Sequence, residues 1–212
     1  MNNITSLNLK EMFNINYIKG YYTRNKKIYL ISISISILFI LIGYTFTGLI
    51  QEEIENNNLE DSSLIDKNQL ISEMNIQDCI ELFIHNLSID LSVVLNGFLF
   101  SVMALVITFV NTAMIGIVGS ILPPQYLIMG IIPHGIFEIP CSLIAFAGAL
   151  MATKLEIKLI KALFHYKLKE EIRYSSYLIK DILFSVMIIV IFLGIAAIIE
   201  TYITPILLIS IS

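Results

Sequence analysis

Leu122 to Lys154 reads LPPQYLIMGIIPHGIFEIPCSLIAFAGALMATK, and this stretch decides the fold. It is long and apolar enough to cross a bilayer, yet it contains His134 and Glu138. A histidine and a carboxylate are costly inside hydrocarbon, so they need a partner or a purpose there. Because the two residues are four positions apart, they share one face of a helix. The functional question is which other side chains meet that face.

The composition of the whole chain is that of an integral membrane protein. Of its 212 residues, 57% are hydrophobic and 14% are charged, whereas a soluble domain has about 45–50% apolar and about 25% charged residues. Such an apolar chain, with a net charge of −4, does not suggest a nucleic-acid-binding protein. Cys79 and Cys141 would lie at different depths, so we expect no disulfide. The first apolar run, near Ile28, begins too late for a cleavable signal peptide.

The apolar runs predict an all-α integral membrane protein with about five transmembrane helices, since lipid tolerates no open sheet edge. The run from Phe83 to Leu122 has no Lys or Arg and is too long for one crossing. Its weak points are Asn96-Gly97 and Asn111-Thr112, and we divide it near residues 109–111. The predicted spans, which form one domain over 28–205, are 28–50, 84–106, 108–122, 126–152 and 182–204.

Charge segregation predicts the orientation. Residues 1–27 carry five basic residues and predict an amphipathic segment on the inner membrane surface, with a soluble lead-in as the alternative. Residues 51–81 carry nine acids and one lysine and predict an extracytoplasmic loop. Residues 153–181 carry seven basic and four acidic residues and predict a cytoplasmic amphipathic helix, which could continue the preceding span. The positive-inside rule then predicts a multi-pass protein of the cell (plasma) membrane with a cytoplasmic N-terminus.

This topology predicts a polar cluster within the membrane. Every carboxylate in an apolar run falls in the outer leaflet, where no Lys or Arg is available to neutralise it. His134 is the natural partner of a carboxylate; otherwise the acids share protons or bind a cation. The residues predicted to lie at this depth are Asn86, Asp90, His134, Glu138 and Glu200.

Simpler interpretations of these residues stay open. His134 and Glu138 could form a polar clamp that fixes helix packing. Asp90 and Glu200 could reach the surface, and His85 could be an interfacial residue. Asn111 is predicted at a helix end, where it could act as a cap. The residues expected to shape the backbone around the motif, as kinks or close contacts, are Pro133, Gly135, Pro140 and Pro205.

Three segments resemble the stage II sporulation protein M family. The segment from Pro133 to Pro140, PHGIFEIP, is similar to the signature of that family. FIHNL at 83–87 resembles its entry to the second span, and IETYITP at 199–205 resembles its C-terminal ending. Asn111 resembles the family's Asn-Gly segment, although Thr112 stands where glycine is usual. The similarity covers about 28–205, in the same order and with matching spans.

The resemblance implies a membrane scaffold. In endospore-forming bacteria the namesake is a polytopic membrane protein needed for engulfment, which recruits a complex that degrades the cell wall. We therefore expect a scaffold that recruits other envelope membrane proteins, and the lack of a recognised catalytic motif favours this over an enzyme. The alternative is an intramembrane metal-dependent enzyme or a transporter in which His134, Glu138 and Glu200 bind a divalent metal such as zinc. A pore formed by so few spans would require a homodimer.

Overall fold

Every regular element in the described part of the chain is a helix. The computed structural model describes residues 12–55 and 75–210. The helices are α1 (Ile15–Glu55), α2 (Ile76–Leu95), α3 (Val102–Ile121), α4 (Ile132–Phe164), α5 (Leu168–Tyr174), α6 (Ser176–Ile198) and α7 (Thr204–Ile209). A 3-10 turn, Asn96–Phe98, follows α2, and a short helical turn, Pro124–Tyr126, follows α3. Two π-helical segments, Leu127–Ile131 and Ile199–Ile203, lead directly into α4 and α7.

The predicted fold class is confirmed. Four helical stretches are long and apolar enough to cross a membrane, by length and composition: Ile15–Gly48, Val102–Ile121, Pro124–Phe164 and Ser176–Ile209. The chain is therefore an all-α membrane protein. Helix α2 has the same 20-residue length as α3 but contains Asp78, Glu81 and Asp90. Its length, roughly 30 Å at about 1.5 Å per residue, is enough to cross the hydrocarbon core of a bilayer.

Contacts between helices show that the chain reverses direction from each long helix to the next. Helices α1, α3 and α6 run one way, and α2 and α4 run the other. The contacts that establish these directions are Tyr17–Asp181, Tyr21–Ser185, Phe39–Phe109, Gly43–Ala113, Asn86–Glu138, Val94–Gly148, Gly148–Ser185 and His134–Glu200. The bundle thus has an acidic end, defined by Asp78, Glu81 and Glu200, and a basic end, defined by the basic residues of 153–181.

The predicted division of the run 83–122 was wrong. The break lies at residues 96–101, so the predicted spans 84–106 and 108–122 correspond to helices Ile76–Leu95 and Val102–Ile121. Phe100 and Ser101 have positive φ angles of 52° and 55°, which reverse the chain here. Thr153 of α4 stabilises the turn, because its hydroxyl donates to the Gly97 carbonyl at 2.6 Å and lies 2.5 Å from the Ser101 hydroxyl.

Three other predicted boundaries also differ from the structure. Residues 1–11 lie outside the described residues, but from Ile15 onward the predicted surface segment 1–27 belongs to the same helix as span 28–50. The predicted basic helix 153–181 is divided among the end of α4, α5 and the start of α6, with a turn after Phe164. The last helical stretch does not end at Pro205; it passes through a π-helical segment and continues to Ile209. Most of the predicted loop 51–81 lies outside the described residues.

Helix α4 lies at the centre of the packing because its middle turns are built from small residues. Ala145, Ala147, Ala149 and Ala152 are fully buried, which allows α1, α2 and α6 to approach closely. Two glycines give a similar close contact between α1 and α3. A Cβ atom added at Gly43 would meet the backbone of Ala113. The core thus depends on close backbone approach, as is common in membrane helices.

Candidate functional site

Three predicted polar residues meet at the acidic end of the bundle. His134 and Glu138 lie in the first turns of α4, and Glu200 lies in the second π-helical segment. One ligand atom of each residue lies within 4.8 Å of the others, and all three side chains are partly buried. We call these three residues, together with Asn86 of α2, the polar cluster.

Hydrogen bonds orient the members of the polar cluster. His134 Nε2 lies 4.0 Å from Glu200 Oε2. The other ring nitrogen, Nδ1, lies 3.5 Å from the hydroxyl of Thr204. Asn86 Nδ2 donates a hydrogen bond to Glu138 Oε1. One nitrogen of the ring and one oxygen of Glu138 are therefore engaged, while His134 Nε2 is directed toward Glu200.

Two prolines explain why the backbone brings these side chains together. A proline ring clashes with the carbonyl four residues earlier in a regular α-helix, and proline has no N–H to donate. Just before Pro133 and Pro205 the helix widens, because Ile132 N–H bonds to the Leu127 carbonyl and Thr204 N–H bonds to the Ile199 carbonyl. Such π-helical insertions often occur at functional sites. Here the second one carries Glu200 and is followed directly by Thr204, the first residue of α7, and both residues contact His134.

A cavity of about 560 Å³ adjoins the polar cluster. It lies mainly between α2, α3 and α4, and most of its wall is apolar. The polar side chains of its wall are Asn86, Asp90, Asn111, His134, Glu138 and Ser142. Asp90 is 3% exposed, so it does not reach the surface as the simpler interpretation proposed. The volume suits a small-molecule ligand, since such pockets are typically about 300–1,000 Å³.

The predicted position of Asn111 was wrong. The sequence placed it at a helix end, but it lies in the middle of α3, because that helix begins at Val102. Its side chain lines the cavity instead of capping a helix. The error follows from the wrong division of the run 83–122, which had put a boundary next to this residue.

A second hollow, of about 600 Å³, opens at the acidic end. Its wall contains Asp78, Glu81 and His85 of α2 together with Glu200 and Pro205. His85 is exposed and lies in this hollow, outside the polar cluster. Glu200 belongs to both the hollow and the cluster, so it lies between the surface and His134. Gly135 is buried at the start of α4, and Pro140 lies inside that helix.

Sequence reasoning missed a polar network at the basic end. Asp181 is fully buried and accepts hydrogen bonds from Arg24 Nη2 at 2.6 Å and Nε at 3.1 Å. Asn25 Nδ2 donates to the same carboxylate at 2.8 Å, and the Tyr17 hydroxyl donates at 3.0 Å. Asp181 was one of the four acidic residues assigned to the predicted cytoplasmic helix 153–181. The signal that could have found it is its place immediately before the apolar run that begins at Ile182.

The polar cluster has the chemistry of a cation site. It provides one imidazole and two carboxylates, and imidazole and carboxylate oxygen are common ligands of zinc. Among the described residues, no second group of three His, Cys, Asp or Glu side chains meets in this way. The same arrangement can also hold α2, α4 and the second π-helical segment together as a structural clamp.

Comparison with known proteins identifies a family. The family model described as Stage II sporulation protein M matches residues 29–205, which is most of the chain. A search of curated proteins and a search of solved structures each gave no match. The matched region includes the whole polar cluster and both prolines that follow the π-helical segments.

Proposed function

Because the chain belongs to the stage II sporulation protein M family, we propose that it is a multi-pass scaffold of the plasma membrane that holds partner proteins at the cell envelope. The N-terminus and the basic end face the cytoplasm, in agreement with the positive-inside rule. The acidic end then faces outward. Four helical stretches are long and apolar enough to cross the membrane. The alternating helix directions support α2 as a further crossing, which brings the total to five.

The observation that carries this proposal is a set of exposed aromatic side chains at the basic end. Phe164, Tyr166 and Tyr174 are 77%, 98% and 75% exposed, and we call them the aromatic tip. Lys167, Lys169 and Arg173, also exposed, lie among them. Aromatic residues and arginine are enriched in protein interfaces and dominate their binding energy. A tip that combines both is suited to binding a cytoplasmic partner or a second copy of this chain.

An ion pair and a hydrogen bond connect α5, which carries part of the aromatic tip, to α4 and to the start of α6. Lys158 Nζ of α4 lies 3.2 Å from Glu171 Oε1 of α5, and the Ser175 hydroxyl donates to the same oxygen at 2.7 Å. Arg24 and Asp181 fasten the start of α1 to α6 on the same side of the bundle. The short helix α5 is therefore held between the ends of two long helices.

Cross-linking in native membranes tests the scaffold. Truncating the aromatic tip (Phe164→Ala, Tyr166→Ala, Tyr174→Ala) should reduce cross-linked partner by roughly tenfold or more, the effect of losing about 1.4 kcal/mol. The matched control is the double variant Tyr44→Ala, Phe46→Ala. The side chains of Tyr44 and Phe46 are 55% and 57% exposed and lie in the second half of α1, away from the basic end. The mass of the product distinguishes a homodimer from another protein. A folded, inserted tip variant that cross-links as the wild type does would contradict the proposal.

A second candidate function, an intramembrane metal-dependent enzyme or a transporter, is favoured by the polar cluster and its cavity. The cluster lies between a hollow at the acidic end and a cavity inside the bundle. Backbone segments interrupted by proline also occur at the binding sites of transporters. Ion flux in proteoliposomes tests the transporter version, and Glu200→Gln should abolish any flux that depends on this cluster.

A further inference from the structure

We propose that His134, Glu138 and Glu200 bind one divalent cation of the zinc class, with an open coordination position toward the cavity. The inference concerns the same cluster as the second candidate function and is independent of the scaffold. It is a statement about binding, so the absence of flux or turnover does not decide it.

Charge supports the proposal first. The chain has no Lys or Arg between Lys67 and Lys154, and none after Lys180. Among the described residues, the basic side chains near Glu138 and Glu200 are histidines, His134 in the cluster and His85 in the hollow, at a depth where isolated charge is costly. A dication balances two carboxylates while the imidazole stays neutral, which is the form of histidine that binds metals.

The distances between the ligand atoms also support a metal site. A tetrahedral ion with bonds of about 2.0–2.1 Å holds its ligand atoms roughly 3.3 Å apart. The three ligand atoms already lie within 4.8 Å of one another, with His134 Nε2 and Glu200 Oε2 at 4.0 Å. Small side-chain rotations bring them to bonding distance.

The hydrogen bonds around the cluster are those of a supporting shell. Metal-binding histidines usually engage their other ring nitrogen, which fixes the orientation of the ring. Thr204 occupies this position beside His134 Nδ1 and leaves Nε2 directed at Glu200. Asn86 bonds one oxygen of Glu138 and so limits the rotation of that carboxylate. The supporting residues come from α2 and from the start of α7.

The openings on the two sides of the cluster give a cation and a further ligand access to it. The hollow at the acidic end contains Asp78, Glu81 and Glu200, so a cation that approaches from this side meets negative charge up to the cluster. On the other side, His134 and Glu138 line the cavity of about 560 Å³. Three protein ligands with a fourth position left for water or another ligand are typical of catalytic zinc sites. The cavity provides the space for that fourth ligand.

Zinc is the best match among the common divalent ions. Imidazole suits zinc, copper, iron and nickel, whereas sites made only of oxygen ligands suit magnesium, calcium and manganese. The two cysteines contribute no ligand. Cys141 is buried with its Sγ 3.8 Å from the Ile189 carbonyl, and Cys79 lies near the start of α2. The described structure therefore predicts nitrogen and oxygen coordination without sulfur.

Metal binding by the purified full chain in detergent tests the inference. We expect the wild type, stripped with chelator, to bind one Zn²⁺ per chain by calorimetry and by elemental analysis after dialysis. His134→Gln and Glu200→Gln should remove stoichiometric binding. Thr204→Val, which leaves every ligand in place, should weaken it by about 10–100-fold. The matched controls are His165→Gln and Glu170→Gln, because both residues are exposed at the basic end.

A second measurement on the wild type covers variants that fail to fold. A ligand that binds only the folded state raises its stability, so Zn²⁺ should raise the melting temperature of the wild type in a concentration-dependent way. Mg²⁺ at the same concentration should have a much smaller effect. The inference is overturned if the folded wild type binds no stoichiometric zinc, or if His134→Gln and Glu200→Gln bind it as tightly as the wild type does.

Discussion

At the scale of single residues, Asp181 is the most consequential side chain outside the polar cluster. It is fully buried and receives donors from Arg24, Asn25 and Tyr17. The network continues to Tyr21, whose hydroxyl lies 2.7 Å from Ser185 Oγ. A buried carboxylate is tolerated only when its hydrogen bonds are made. Asp181 thereby fixes how the start of α1 meets α6.

Asp181→Ala should strongly destabilise the protein. The substitution leaves the Arg24 guanidinium and the buried Asn25 amide without their acceptor. Because the Arg24 side chain is 37% exposed, solvent screens part of this loss, and we expect a cost of about 1–3 kcal/mol. The measurement is unfolding in mixed micelles with increasing denaturing detergent. Glu170→Ala, at an exposed position of α5, is the control and should leave the unfolding midpoint unchanged. An Asp181→Ala protein as stable as this control would contradict the importance of the network.

The sequence predicts some of these residues well and others poorly, for physical reasons. His134, Glu138 and Glu200 stand out because each is a costly residue in an apolar run, and the predicted topology placed all three at the same end of the helices. Asp181 and Asn111 do not stand out. The first looks like one more surface charge, and the second was misplaced by a wrong helix boundary. Their roles depend on side chains such as Arg24, which lies far from Asp181 in the sequence.

At the scale of elements, the contact between α1 and α3 depends on two glycines. A Cβ at Gly43 would meet the backbone of Ala113, and one at Gly116 would meet the backbone of Ile40. Because backbone atoms cannot rotate away, the two helices would have to separate. The glycines therefore set the spacing of this helix pair.

Gly43→Ala should lower the melting temperature, although alanine is by itself the better helix former. Gly48→Ala in the same helix is the matched control, because a Cβ there would have no atom within 4 Å. It should be neutral or stabilise the helix by up to about 1 kcal/mol. Thermal unfolding of both purified variants compares them directly. If Gly43→Ala were as stable as Gly48→Ala, the close approach of α1 and α3 would be wrong.

Helix α5 should respond to pH through Glu171. Hydrogen bonds from Ser175, and then from Lys158, hold the pKa of the Glu171 carboxyl below its ordinary value. Its contribution to stability is therefore present above the ordinary pKa and is lost as the pH falls through the lowered one. Backbone hydrogen exchange in α5 should be slower in the wild type than in Glu171→Gln at neutral pH. At acidic pH the two should exchange equally; a difference that persists there would contradict this role of the carboxylate.

The break between α2 and α3 shows the limit of prediction at this scale. Asn96-Gly97 was recognised as a weak point, but the break was placed near residues 109–111. The turn that forms is held by α4, where Thr153 bonds Gly97 and Ser101 and the Glu156 carboxylate accepts from Phe100 N–H. These partners are more than 50 residues away, so local patterns could not choose between the two weak points.

At the scale of the whole molecule, the class of protein and the order of its long helices were predictable. The bilayer requires long apolar helices, and the chain separates its charges strongly enough to reveal them. The start of α1 and the end of α4 were less predictable. Helix α1 begins well before the first apolar run, and α4 extends well beyond the apolar run that it contains. A helix can continue past the bilayer wherever another helix packs against it. The apolar runs therefore mark neither the start of α1 nor the end of α4.

Labelling of single cysteines should show that the two ends lie on opposite sides of the membrane. Gln125 lies in the turn before α4, and Tyr166 lies in the turn after it; both are exposed. With Cys79 and Cys141 replaced by serine, Gln125→Cys should react with a membrane-impermeant maleimide in intact cells. Tyr166→Cys should react only after permeabilisation. The reverse pattern, or labelling of both sites in intact cells, would contradict the proposed orientation.

Three side chains from two distant segments of the chain form the proposed cation site. X-ray absorption at the zinc edge of the zinc-loaded wild type tests it most directly, because the spectrum identifies the atoms bound to the metal. We expect nitrogen and oxygen neighbours at about 2.0–2.1 Å, the signal of a single imidazole, and loss of that signal in His134→Gln. Sulfur neighbours, a fully hydrated ion, or a spectrum unchanged in His134→Gln would contradict the claim.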